Sequence, residues 1–198
     1  MNILADLKSK FNTIEPIFNY ELYSLGYTDA DIADTLKENE FEEVKIDKTF
    51  CIPCRAYTLV EYIDLIDCYS KVDARSEQLI YKYYIGNDNE YGYFDSLTLY
   101  NRLGLSTQVS SITYIASNRV SKDLVINGYT IKCNKSYKKS DLPYIYLSTI
   151  INFKYSIEYN KNDIYSKFKN IKFNKKKLED MVDINRRGEL NEFFAQYQ

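Results

Sequence analysis

The 198-residue chain reads as an α+β protein of two domains. Three observations predict this. Short segments with apolar residues at helical spacing alternate with short strand-like runs, without internal repeats or low-complexity linkers. Apolar residues make up 45% of the chain, enough for real cores, and Gly26, Gly104 and Asn127-Gly128 punctuate it. The charge is also divided: residues 1 to 84 carry 9 Lys and Arg against 16 Asp and Glu, residues 85 to 198 carry 17 against 12.

Ile3, Leu4, Leu7 and Phe11 mark one face of a first helix, which Pro16 breaks. Tyr20 to Leu25 forms a second, stopped by Gly26. Thr28 or Asp29 caps a third, Ala30 to Lys37, with Ile32, Ala33 and Leu36 at helical spacing. Phe41 to Ile46, the turn Asp47-Lys48, and Thr49 to Ile52 predict a β-hairpin. This order and size is the layout of a winged helix-turn-helix, with Tyr20 to Leu25 as supporting helix, Asp29 to Glu38 as recognition helix and Lys45 to Thr49 as the wing. The boundary is placed near Ala56, so that residues 1–56 form this domain and 57–198 a mixed α/β domain.

Residues 57 to 84 suggest one or two helices, from Leu59, Tyr62, Ile63 and Ile66 and then Leu79, Ile80, Tyr83 and Tyr84. A Gly-Tyr turn at Gly92-Tyr93 leads to a helix with Leu97, Tyr100 and Leu103 on one face, stopped by Gly104 and followed by a strand from Ser111 to Ala116. Leu124 to Asn127 and Tyr129 to Cys133 flank Asn127-Gly128 as a hairpin. Leu142 to Phe153 runs into a basic stretch, Lys154 to Lys177, with eight Lys against Glu158 and Asp163. The tail, Leu178 to Phe194, reads as one or two helices around Asn185-Arg186-Arg187-Gly188.

Composition removes many functions. With no histidine, the chain has no Ser-His or Cys-His nucleophile pair and no His-ligated zinc site. No Walker, Rossmann, kinase or GxSxG pattern occurs. The carboxylates at Asp29, Asp31, Asp34 and at Glu40, Glu42, Glu43 adjoin no phosphate loop and read as solvated surface. Cys51-Ile-Pro-Cys54 has the spacing of a thiol redox site, in which a following helix lowers the thiol pKa, but the charged run FEEVKID precedes it and no βαβ unit stands upstream. A zinc site from Cys51, Cys54, Cys68 and Cys133 would rest on a single CxxC pair. The expectation is a chain with no catalytic residue, no metal and no cofactor. The 21 Tyr and 10 Phe, with Lys, Asn and Ile, match the codons of an AT-rich genome, although tyrosines also suit a binding face. Without a run of about 18 apolar residues or a cleavable leader, a cytoplasmic protein that does not enter the membrane is expected.

The phrase LGLSTQV at Leu103 to Val109, preceded by a helix and followed by a strand and Ser117-Asn118, resembles the central region of the AbiEi family antitoxins of type IV, abortive-infection toxin-antitoxin systems. FCIP at Phe50 to Pro53 is similar to the family's wing closure, and the arginine-bearing tail to its C-terminal helices. The resemblance implies a winged-helix transcriptional regulator joined to an antitoxin domain. It implies a monomer that neutralises a nucleotidyltransferase-like toxin without a stable complex and represses its own promoter.

If promoter DNA is a partner, Thr28, Lys37, Asn39, Lys45, Lys48 and Thr49 are the expected N-terminal contacts, with Lys167, Lys169, Lys175, Lys176 and Lys177 as a second phosphate-contacting patch. One departure stands out. The recognition helix presents Asp29, Asp31, Asp34 and Glu38 against Lys37, and residues 1 to 50 hold 5 Lys against 11 acids. Phosphate neutralisation needs the opposite balance. Two alternatives follow: a protein-interaction module whose acidic domain engages a basic partner, with Asp31 and Asp34 as contacts, and a thiol protein using Cys51 and Cys54.

Overall fold

A computed structural model describes residues 3–13, 15–60, 62–63, 68–69, 76–108, 110–153 and 161–197 of an α+β protein. Two compact units divide the chain, Met1–Tyr83 and Tyr84–Gln198.

The first unit begins with helix α1 (Ile3–Lys10), strand β1 (Ile17–Phe18), helices α2 (Asn19–Ser24) and α3 (Asp29–Thr35), then strands β2 (Phe41–Val44) and β3 (Ala56–Leu59). The sheet order is β1-β3-β2, antiparallel throughout, with Ile17 opposite Tyr57 and Glu43 opposite Tyr57 on its other side. Leu7, Ile17, Leu22, Ile32, Phe41, Tyr57 and Leu59 form the core between helices and sheet, with Ile3, Leu4, Phe11, Tyr27 and Leu36 packed on it. Thr28 caps α3. Its hydroxyl accepts from the Asp31 N–H at 3.2 Å, and its own N–H donates to the Asp31 carboxylate at 2.8 Å, a reciprocal capping box. Gly26, at φ 90°, supplies the left-handed turn between α2 and α3.

The hairpin differs from the expected one. Its second strand is Ala56–Leu59, not Thr49 to Ile52. Lys48–Phe50 is instead a 3-10 turn, because the Asp47 carboxylate accepts from both the N–H and the hydroxyl of Thr49 at 2.8 Å. All four residues of β3 are buried, so this central strand shows no polar alternation by which to tell it from a helix segment. The expected helix at residue 57 is therefore a strand, and β4 (Tyr62–Ile63) pairs with β5 (Cys68–Tyr69). Ile66 lies outside the described residues. Helix begins only at α4 (Ser76–Tyr84). The same strand corrects the boundary: a domain ending at Ala56 would lose the middle of its sheet, and the division falls at Tyr83/Tyr84.

The second unit carries strand β6 (Gly92–Phe94), helix α5 (Ser96–Arg102), strands β7 (Thr113–Ser117), β8 (Leu124–Ile126) and β9 (Tyr129–Cys133), and helices α6 (Leu142–Phe153), α7 (Lys161–Phe168), α8 (Lys175–Met181) and α9 (Arg187–Tyr197). The sheet order is β6-β7-β9-β8, with β7 and β9 parallel and the other pairs antiparallel. The Asn127-Gly128 hairpin forms as expected, Ile126 opposite Tyr129. Gly92 is a strand residue rather than part of a turn. Tyr100, Leu147, Ile150, Leu178, Leu190 and Phe193 lie in a helical core against which Leu97 and Leu103 pack. The expected break at Asn185 to Gly188 is a 3-10 turn, Ile184–Arg186, and Gly188 lies inside α9.

The segment carrying LGLSTQV is a built helix end. Gly104, at φ 67°, donates to the Asn101 carbonyl at 3.0 Å, and Leu105 donates to the Tyr100 carbonyl at 2.9 Å. These are the two bonds of a Schellman motif, closed by contact of Leu105 and Tyr100 in the core. The Asn101 amide then donates to the carbonyls of Ser106, at 3.0 Å, and Gln108. No described helix is long and apolar enough to cross a membrane.

Candidate nucleic-acid interface

Helix α3 turns Ile32 and Thr35 inward and leaves Asp29, Ala30, Ala33 and Asp34 exposed, with Lys37, Glu38 and Asn39 exposed in the turn that follows. Of the expected contacts, Thr28 is exposed but engaged in capping. Its hydroxyl and N–H hold the Asp31 carboxyl below the usual carboxylate range. Lys37 pairs with Asp34 at 2.6 Å, both more than 70% exposed, so its charge is locally offset. Lys45, Lys48 and Thr49 are exposed in the loop that joins β2 to β3. The N–H and hydroxyl of Thr49 likewise hold Asp47 below its ordinary pKa.

At the base of that loop, Glu43, Val44, Lys45, Ile46, Cys54 and Arg55 line a surface depression of about 380 Å³. Arg55 donates to Asp29 at 3.1 Å, and the Tyr23 hydroxyl donates to the same carboxylate oxygen at 2.7 Å. Arg55 ties the hairpin base to the start of α3. It escapes sequence reading because the register that places it there depends on β3. Beneath it, the Tyr57 hydroxyl is buried without a hydrogen-bond partner among the described residues, and burial raises its pKa.

In the second unit, Lys167 and Lys169 are exposed at the end of α7, and Lys175, Lys176 and Lys177 form the first turn of α8. Lys154, Glu158 and the rest of residues 154–160 lie outside the described residues. Three ammonium groups at a helix N-terminus oppose the dipole, so the site concentrates positive potential. Asn174 caps the helix by accepting the Lys177 N–H at 3.2 Å. Lys177 is partly neutralised: it lies 2.6 Å from Asp141, whose carboxyl it holds below the ordinary range, and over the Tyr144 ring. Lys175 lies 3.9 Å from Glu179. Lys176 is exposed. The two lysine sets belong to different units.

The cysteines lack the strand-to-helix setting in which a helix N-terminus lowers a thiol pKa. Strand β3, not a helix, follows Cys54, and Cys51 takes a left-handed φ of 53° at the end of the 3-10 turn. No disulfide joins Cys51, Cys54 and Cys133. Among the described residues no three His, Cys, Asp or Glu are grouped to hold a metal ion.

Sequence reading also passes over a buried polar cluster under β6. Tyr137 donates to the Asn89 carbonyl, and Asn134 donates to the Tyr93 hydroxyl at 3.1 Å. Burial, then the neighbouring Tyr146 and Tyr93, pushes the Tyr137 hydroxyl up to about 12. Only the excess of Tyr signalled this cluster. Compared with protein-family models, with curated proteins and with solved structures, the chain finds no match.

Proposed function

We propose that this chain is an antitoxin of the AbiEi type, with an N-terminal winged helix that binds its own promoter and a second domain that counteracts a nucleotidyltransferase-like toxin. The observation that carries the reading is the LGLSTQV resemblance, of which Leu103 to Gln108 form one capped, side-chain-braced helix end. The winged helix is supported by the element order helix, strand, helix, helix, strand, strand and by the sheet order β1-β3-β2, with an exposed loop between β2 and β3 as the wing. Co-expression with the nucleotidyltransferase-like protein encoded beside it tests the antitoxin half. Restored growth is expected, and growth arrest despite abundant folded chain overturns it. For the DNA half, binding to the duplex upstream of its own reading frame should weaken steeply with salt. Binding that is absent or indifferent to salt defeats it.

A second reading has its own observation: Asp34 and Glu38 are exposed beside a Lys37 already paired to Asp34. An interaction module would use this face on a basic protein partner. Asp31 is committed to capping, so charge reversal belongs at Asp34 and Glu38. Under this reading such reversal abolishes partner binding without creating DNA binding.

A further inference from the structure

Arg55 and Lys45 are two cations at the base of the β2–β3 hairpin, where Arg55 reaches the start of α3. One ladder step past the Val44–Ala56 pair sets Lys45 opposite Arg55, and both line the depression at the hairpin base. Arg55 donates to Asp29 through one nitrogen at 3.1 Å and also meets the Tyr23 hydroxyl, which itself donates to the same carboxylate oxygen. The side chains of Arg55 and Asp29 are 54% and 71% exposed, so water competes for both ends and the pair is weak. A phosphate oxygen pair offers the guanidinium a planar, two-bond partner that one carboxylate oxygen does not.

We propose that the Asp29–Arg55 pair is an internal latch, in which the α3 carboxylate occupies the guanidinium that, with Lys45, would clamp a backbone phosphate of duplex DNA. This rests on the DNA half of the proposed function and adds a residue, Arg55, and a competitor, Asp29. It also gives the acidic helix a role: Asp29 sets a threshold, so that DNA must displace a carboxylate before the hairpin base engages.

The test is a double-mutant cycle on the full chain, with fluorescence anisotropy of the upstream duplex across a salt series. Asp29→Asn should tighten binding by roughly three- to tenfold and steepen the salt slope by about one phosphate contact. Arg55→Gln should weaken binding, and in that background Asp29→Asn should have little effect. Equal tightening in both backgrounds would mean that any lost negative charge helps, and would overturn the latch. No change in Asp29→Asn, with salt-dependent binding by the unaltered chain, overturns the latch and leaves the DNA reading standing. No binding by any variant overturns both. Circular dichroism confirms folding, and Asp29→Ser replaces Asp29→Asn if the latter loses helix.

Discussion

Lys82 places its ammonium 2.7 Å from the Glu15 carboxylate, and Glu21 approaches the same charge at 3.0 Å. The Lys82 side chain is 9% exposed and lies over the Phe11 ring, while Glu21 also accepts the Phe18 N–H at the start of α2. One buried cation thus joins α4 to the segment before β1 and to the entry of α2. Removing it leaves two partly exposed carboxylates facing each other without a counter-charge. Lys82→Met should therefore cost about 1–2 kcal/mol despite keeping the side-chain volume. Urea denaturation measures it, and a loss near zero would mean that the carboxylates reach water.

Thr28 separates capping from DNA contact. Thr28→Ala removes the hydroxyl from the capping box and should lose about 1 kcal/mol of stability. Thr28→Ser keeps the hydroxyl and should restore it. A Thr28→Ala chain of unchanged stability but weakened DNA binding would make the residue a contact rather than a cap.

Gly92 is held by space. A Cβ there would meet the Ala116 carbonyl oxygen at 2.3 Å and the Tyr84 carbonyl oxygen at 2.5 Å, both backbone atoms that cannot rotate away. Gly92→Ala should destabilise the second unit by roughly 3 kcal/mol or more. Thermal unfolding and the soluble yield both report it.

Tyr137 sets an alkaline limit. Its folded pKa, about 12, lies above the ordinary 10.0, so the folded state favours the protonated hydroxyl. The corresponding stability is intact below about pH 10 and is lost as pH rises through about 12. Tyr137→Phe strands the Asn89 carbonyl and should cost about 1 kcal/mol at pH 8. The variant should also show a shallower loss of stability from pH 10 upward, read by urea denaturation at stepped pH. Parallel pH profiles would exclude Tyr137 as the responsible group.

What could be read in advance follows the range of the interactions involved. Helix α3, the Gly104 stop and the Asn127-Gly128 hairpin are set by residues within a few positions of each other, and each stands where its local signals place it. Strand β3 is set by partners far along the chain and is buried along its length, so its sequence carries no alternation to distinguish it from helix. The hairpin base was lost with it: Arg55 meets Asp29 only once β3 is in register. Lys45, Lys48, Thr49 and the α8 lysines were found by charge and position, which identify exposed cations but not the carboxylates that offset Lys37 and Lys177.

The division at Tyr83/Tyr84 coincides with the change in charge, so each compact unit carries its own sign: 9 Lys and Arg against 16 acids in the first, 17 against 12 in the second. At neutral pH the intact chain, with a net charge of −2, would scarcely migrate in an electric field. Cut at that point and kept unfolded, the two parts would move toward opposite electrodes. On ion-exchange media, one would be retained by the anion exchanger and the other by the cation exchanger.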